Sequence, residues 1–509
     1  MRLLLVVEAE RSRRWMVRLV ERLAGLGVEV RLEIVPAATP PERGLELLLD
    51  LERAIRHRWR PCGADRIDAA GLAPRADAGF APDLVVDLGE HPRARGATPV
   101  LAVAWDGAHG EAEAFVSLLS AATPVGELVD LATGVVLERG LASLEAASGI
   151  GGGFDAVAAR LVTLIVARID ARLSGKARPD APAVDREARG RRRSAAAVAS
   201  RSFASSLVRA IYRLCCHAPH WRVGWRIHDG PGIAETGDLS GPLFKVVPDP
   251  GRRFFADPFP VTRDGRTFVF VEDLDHAVGK GLISAIPFDA NGPTGPAEVV
   301  IEEPWHLSYP FFVEHGGELW MIPESSTAGD VAIYRCARFP DRWERHATLL
   351  EGIALSDATV FEENGRWWMF GTLHDGEGGW SDMLVLHSAP SLFGPWTPHP
   401  ANPVLVDRTS ARPAGAFFRR DGRLFRPVQD CTNGYGGELA LAAVTRLDDG
   451  GYAQVVRHRL APGPLWPGRK FHTLNRDDRL EVIDGSVYRP KSRWATSLVE
   501  ARTVPGGAV

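Results

Sequence analysis

The sequence predicts two folded parts, an α/β domain over residues 1–173 and an all-β propeller of five blades over residues 220–495. Three observations predict this. A sixteen-residue phrase recurs at Asp257–Glu272, Tyr309–Glu324, Asp357–Thr372 and Ala414–Gln429, each with glycine (Gly265, Gly317, Gly365, Gly422) at its ninth place. The residue before that glycine is Asp264, Gly316, Asn364 or Asp421, so each phrase reads as two strands joined by a two-residue hairpin turn. The phrases start 52, 48 and 57 residues apart, which leaves room for two more strands per repeat, the period of propeller blades.

The first 173 residues alternate strand and helix signals instead. A strand is expected at Leu3–Val7, a helix to about Leu23, and strands at Val28–Val35, Leu84–Leu88 and Val100–Trp105; the alternation argues for a parallel sheet. Helical patterns follow at about 111–121 and 154–173, with Gly149–Gly153 as a loop leading into the second. Residues 174–219, rich in Ala, Arg, Pro and Ser, read as a linker plus a short apolar helix near Phe203–Cys216. A fifth blade is expected from Phe471–Tyr488, with Asp477-Asp478 at its turn and Trp221–Ile227 closing the ring, which removes exposed sheet edges. Residues 496–509 read as a tail.

Net charge is −4, and nothing global points to nucleic acid or an anionic surface. The basic run Arg189–Arg193 beside the short helix is the one segment that suggests contact with a membrane surface. No run of eighteen apolar residues predicts a transmembrane span, and MRLLLVV reads as a strand. Five cysteines without CxxC spacing suit reduced thiols and a cytoplasmic location. No His/Asp spacing resembles a metal site, and neither GxGxxG after the first strand nor GxxxxGK[ST] occurs, so no metal or cofactor is expected.

Counting outward from the turns pairs Asp257 with Glu272, Tyr309 with Glu324, Asp357 with Thr372 and Ala414 with Gln429, all at the open ends of the hairpins. If first strands line the central channel, these ends gather in one funnel. Paired carboxylates are what glycosyl cleavage requires, one as acid and one as base or nucleophile. Asp257 is the expected base or nucleophile and Glu324 the acid, its pKa raised by apolar predecessors and nearby carboxylates; Asp357 is expected to hold pKa and orientation. Taken singly, each Asp reads first as a turn residue holding backbone N–H groups, and it is the joint pattern of acids at one mouth that points to chemistry. Substrate contacts are expected from Glu272, His306, Tyr309, Gln429, Asp430 and His472 at the blade mouths, from Arg412 and Arg426 as pairing cations, and from Trp380 in a Gly-rich overhanging loop. The other tryptophans of this region are expected mostly to fill spaces between blades.

FFADPFP, HLSYPFF, LWMIPESS, RFPDRW, LSDATVF, WWMFGT, FGPWTPHPANPV, ARPAG, RLFRPVQDC, YGGEL and FHTLN together resemble the N-terminal domain of the glucosamine inositolphosphorylceramide transferase family, over about residues 220–495. Such domains are similar to the five-bladed superfamily of arabinanases, β-xylosidases, invertases and levansucrases, in which a blade-one Asp is base or nucleophile; that matches Asp257, and Asp357 matches the assisting Asp of a later blade. The superfamily's acid Glu falls elsewhere than Glu324. In the plant transferases a glycosyltransfer module follows this region, and residues 496–509 hold none. PDLVVDLG, HPRARGATPV and LATGVVLERG resemble the Rossmann-like formyltransferase fold, but Gly89-Glu90-His91 and Ala132-Thr133-Gly134 replace its Asn-x-His and Asp-Thr-Gly, which implies a degenerate domain.

The expectation is therefore a cytoplasmic carbohydrate-active protein, cleaving or transferring a glycosyl group on a carbohydrate or glycoconjugate. The alternative is a non-catalytic propeller that binds a glycan or a partner.

Overall fold

The computed structural model describes residues 1–492 and 496, apart from 57, 182, 183, 185 and 467, and leaves the side chains of 202 and 203 undescribed; the rest of the expected tail lies outside the described residues. The N-terminal part runs β1 (Arg2–Glu8), α1 (Trp15–Gly25), β2 (Glu29–Val35), α2 (Arg43–Ile55), β3 (Leu84–Asp87), β4 (Val100–Trp105), β5 (Ala108–His109), α3 (Ala112–Leu119), β6 (Val125–Asp130), β7 (Val136–Leu141) and α4 (Gly149–Leu173). Its sheet has the order β2-β1-β3-β4-β6-β7, with the first four strands parallel and β6 and β7 antiparallel, so it is mixed rather than parallel throughout. The last two strands hide from a hydropathy reading because they bury charge. Glu127 meets Arg139 at 2.8 Å, and Glu138 meets Arg168 and Arg178 at 2.7 and 2.6 Å. Buried acids survive there because each is paired.

Helix α4 begins at Gly149, earlier than the sequence suggested, so the glycine run is its first turn. Two orphan N–H groups, of Ile150 and Gly151, donate to the Glu52 carboxylate of α2 at 3.1 and 2.9 Å. A Cβ at Gly153 would stand 3.2 Å from Leu118, so lacking one lets α3 pack closely. By length and composition α4 is the one described helix that could cross a membrane, but 83% of the relevant window is buried in this domain, against α1, α2, α3, β6 and β7.

The propeller has five sheets. Blades one to four start at Arg253, Ser308, Leu355 and Phe418, each building outward by antiparallel pairing. Blade five pairs Leu474–Asp477 with Leu480–Ser486, then with Trp221–Ile227 and Lys245–Val246, so the ring closes by joining both ends of the domain. Its turn falls one residue later than expected, with Asp477 opposite Leu480. At Asp264-Gly265, Gly316-Gly317, Asn364-Gly365 and Asp421-Gly422 both residues have positive φ, as tight hairpins with right-twisted strands demand. Between blades the packing is aromatic: Phe259, Tyr309, Phe311, Trp320 and Trp367 share one cluster, while Trp368 packs with Leu405 and Tyr452.

The two domains are pinned together. Arg160 of α4, 1% exposed, bonds Asp382 and Asp375 of blade three, both at 2.9 Å, and Asp382 also accepts the Ser143 N–H at 2.7 Å. In the linker, Arg178 bonds carbonyls of Ala401, Asn402 and Pro403. Arg189 pairs with Asp106 and Glu113, and Arg192 with Glu42. Those two arginines of the basic run thus face acids of the N-terminal domain.

Candidate active site

The register at the open ends of the hairpins differs from simple counting. In blades one to three the first strand carries one extra residue, so Glu272 lies opposite Ala256, Glu324 opposite Ser308 and Thr372 opposite Ser356. Gln429 is not opposite Ala414 either: its N–H donates to the Arg412 carbonyl and the Ala414 N–H to the Pro427 carbonyl. The displaced residues, Asp257, Tyr309 and Asp357, have φ of 49, 41 and 55°. Such bulges bend a strand and re-aim its side chains, and left-handed backbone is uncommon without glycine.

The bulged N–H groups are bound by acids of the preceding blade. Asp257 N–H donates to Asp484 Oδ2 at 2.8 Å, Tyr309 N–H to Asp257 Oδ2 at 3.2 Å, and Asp357 N–H to Glu324 Oε2 at 3.1 Å. The backbone-holding role expected of isolated aspartates is therefore present, but it links blades, so the acids share one network.

Two charge clusters occupy this network. In the first, His472 Nδ1 lies 2.6 Å from Asp484 Oδ1 and its Nε2 3.4 Å from Asp257 Oδ1, while Thr473 Oγ1 donates to Asp257 at 2.9 Å. Trp221 stacks on the imidazole at 4.0 Å. Burial opposes protonation of His472, but Asp484 and Asp257 outweigh it and raise its pKa. Burial pushes Asp257 up to about 7; His472 opposes this, and Asp484 and Glu272 add to it. Ligand atoms of Asp257, His472 and Asp484 lie within 4.8 Å of one another, a donor set that could also hold a cation, contrary to the reading from spacing alone.

In the second cluster, Arg412 Nε donates to Asp357 Oδ2 at 2.6 Å and its Nη2 to Oδ1 at 3.3 Å, with Glu324 at 3.6 Å. Gln429 Nε2 donates to Asp357 at 3.2 Å and Ser326 to Glu324 at 2.7 Å. Burial raises the Asp357 pKa; Arg412 opposes this, and Glu324 and Asp257 add to it. Burial also acts to raise Glu324, but Arg412 and hydrogen bonds from Asp357 and Ser326 leave it below its ordinary value. That reverses the sequence expectation for Glu324, because the charge of Arg412 outweighs the burial and the neighbouring carboxylates that the expectation rested on.

The funnel is nearly closed: Asp257, Glu324 and Asp357 are 5, 8 and 2% exposed. Half-buried Tyr435, its ring 4.8 Å from the Arg412 guanidinium and 5.4 Å from the His472 ring, bridges the two clusters. Trp380, 37% exposed, stacks on His374 at 3.9 Å; its carbonyl accepts from Arg412, and its N–H donates to Glu145 of the N-terminal domain at 2.6 Å. At the edge, His306 Nε2 faces Glu272 at 3.3 Å while its Nδ1 accepts the Gly281 N–H at 2.9 Å.

Three candidate side chains lie outside the two charge clusters. The Tyr309 ring is buried, its hydroxyl paired with Thr359 at 2.9 Å and accepting from Gly415 N–H at 2.8 Å. Arg426 is an odd number of positions from Gln429 and so points to the other sheet face, bonding the Ala411 carbonyl over Phe370. Asp430 pairs with Arg459 for the same reason of alternation. Sequence reasoning missed Asp484, Thr473, Trp221 and Tyr435. Asp484 faces Asp257 from one pleat below the blade-five position that corresponds to Glu324, and Tyr435 stands in the YGGEL phrase.

This is a five-bladed propeller whose blade ends meet in an acid–histidine–arginine network. Residues 247–483 match the family model described as glucosamine inositolphosphorylceramide transferase 1, N-terminal, the family the sequence phrases resemble. Glucosamine inositolphosphorylceramide transferase 1 of Arabidopsis thaliana is 32% identical over 206 residues, covering 40% of this chain and 27% of the relative. Its counterpart of Oryza sativa subsp. indica is 29% identical over 231 residues, covering 44% of this chain and 31% of the relative. The chain thus spans under a third of the length of these curated relatives. Solved structures similar to it include a GH43B protein of a Bacteroides ovatus xyloglucan locus (TM-score 0.31, 19% identity, 42% of this chain and 45% of that one). Another is the catalytic domain of the Coprinopsis cinerea GH62 α-L-arabinofuranosidase (TM-score 0.35, 16% identity, 47% and 83%).

Proposed function

We propose that the propeller is a carbohydrate-active domain that cleaves or transfers a glycosyl group. The observation that carries this reading is the gathering of buried carboxylates at the blade ends in two unlike settings, Asp257 against His472 and Asp484 and Glu324 against Arg412 and Asp357, which raise the first to about 7 and lower the second. Environments that push two carboxyl groups apart assign them different duties. On these values Asp257 is the proton donor to the leaving oxygen, with His472 and Asp484 resetting its proton, and Glu324 is the ionised base or nucleophile; this exchanges the roles expected from sequence. Asp357 and Arg412 hold Glu324 in place, and exposed Trp380 and half-buried His306 are the groups that a sugar meets first. The match to a family named for a glycosyl transferase supports a glycan or glycolipid substrate. The N-terminal domain, of formyltransferase-like ancestry in this reading, is given no formyl transfer of its own. Five free cysteines support a cytoplasmic setting.

Screening aryl glycosides and nucleotide sugars, followed by Asp257→Asn and Glu324→Gln, tests the proposal. Each substitution is expected to lower kcat by about 10²–10⁴ with sugar binding retained. Turnover at the wild-type rate in either variant removes that residue from the mechanism. The small exposure of the carboxylates favours a second reading, a glycan-binding ring without turnover, and sugar binding with no activity on any substrate class would select it.

A further inference from the structure

We propose that the cavity beside blade one is an anion site that takes a phosphate ester. It has a volume of about 410 Å³ and is lined by Arg213, Arg252, Lys491, His217 and His276, with no carboxylate in its wall. Arg252 immediately precedes the strand that carries Asp257, and His276 immediately follows the strand that carries Glu272, so the cavity lies at the open end of the blade-one hairpin, the end that also holds those two carboxylates.

Among the described residues, the guanidinium groups of Arg213 and Arg252 have no ion-pair or hydrogen-bond partner. Their neighbour Arg489 differs, since it faces Asp249 at 3.6 Å. Lys491 Nζ donates to the Arg213 carbonyl at 2.8 Å and its N–H to the Cys215 carbonyl at 2.9 Å. It thereby covers the C-terminal carbonyls of α5 (Ala195–Cys215), whose partial negative charge would otherwise repel an anion, and keeps further ammonium hydrogens free. The imidazoles of His217 and His276 stack at 4.4 Å. Burial and the surrounding cations hold His217 below its ordinary pKa, and burial with His217 and His276's other neighbour, His220, brings His276 down to about 4. Uncompensated positive charges within one concavity repel each other, and a bound anion relieves that repulsion. Two forked guanidiniums and an ammonium fit the tetrahedral oxygens of a phosphate.

The ligand is a phosphate ester next to a glycan site, either a soluble glycosyl phosphate or the headgroup of a glycolipid. That glycan part rests on the function proposed above; the anion site does not. α5 also exposes Leu207, Ile211 and Leu214, so the lipid source has to be tested directly.

The test titrates the full chain with glycerol 3-phosphate and a hexose 1-phosphate by calorimetry. In parallel, it is co-sedimented with phosphatidylcholine vesicles with and without phosphatidic acid. Saturable binding is expected in at least one arm, weakened about tenfold or more by Arg252→Ala and by Arg213→Ala, with retained thermal transitions. Binding by soluble probes identifies a free phosphate ester, and binding only by vesicles with phosphatidic acid, lost in the same variants, identifies a headgroup. Absence of binding in both arms, or binding that neither substitution weakens, overturns the proposal. Repeating the titration in Asp257→Asn separates the readings, because loss of turnover there leaves phosphate binding intact.

Discussion

Arg412 grips Asp357 with two nitrogens, the closer at 2.6 Å, and stands 3.6 Å from Glu324 on the blade before. One buried cation therefore serves two carboxylates on different blades. Arg412→Ala is expected to cost about 3–5 kcal/mol by leaving Asp357 and Glu324 buried without compensation, read as a lower urea midpoint at unchanged slope. Arg412→Lys restores charge but not the fork and should fall between.

Protonation of Asp257 gives a pH signature. Its folded pKa, about 7, lies above the unfolded value near 3.9, so the native state holds the extra proton between those limits. The stability this contributes is full below about pH 4 and is lost as pH rises to about 7. Denaturant midpoints across that window should show the decline in the wild type and a flatter profile in Asp257→Asn.

Activity should follow a bell. With Asp257 as donor, kcat/KM falls as pH rises through about 7, and with Glu324 as the ionised partner it falls on the acid side below the ordinary carboxylate range. A profile that instead rises through pH 7 would restore Asp257 as the base.

Arg160 is expected to hold the domains in register. Arg160→Ala strands Asp382, 0% exposed, and Asp375 at the interface. A lowered first thermal transition and faster proteolysis in the linker should follow, with the propeller's own transition largely kept.

Gly485 tests ring closure. A Cβ there would stand 1.8 Å from the Lys470 carbonyl and 2.6 Å from Trp466 Nε1, so blade five would have to part. Gly485→Ala should reduce soluble yield or lower Tm by several degrees, whereas Gly422→Ala, with open space around it but φ of +72°, should cost only about 1 kcal/mol.

Much of the propeller was legible because hairpin turns declare themselves: Asp-Gly, Asn-Gly and Gly-Gly require left-handed backbone that few other pairs adopt. Asp257, Glu324, Asp357, Arg412 and His472 were readable as neighbours once strand ends were counted around a ring. The bulges were not, since an aspartate or tyrosine with positive φ carries no local signature as clear as glycine. Asp484 escaped because it sits one pleat below the expected position. Arg426 and Asp430 were misplaced by alternation, where one residue decides the face. In the N-terminal domain, β6 and β7 were hidden by buried charges whose partners lie elsewhere in the chain.

Blade five joins residues 221–227 to 480–486, and this sets an order of events during synthesis. Four blades can emerge and fold while the ring still gapes, with Asp257 already made but lacking His472 and Asp484. Only when the stretch through Ser486 has left the ribosome can the histidine slide between its two acids, so a nascent chain that stops short of it leaves the Asp257 carboxylate without either neighbour.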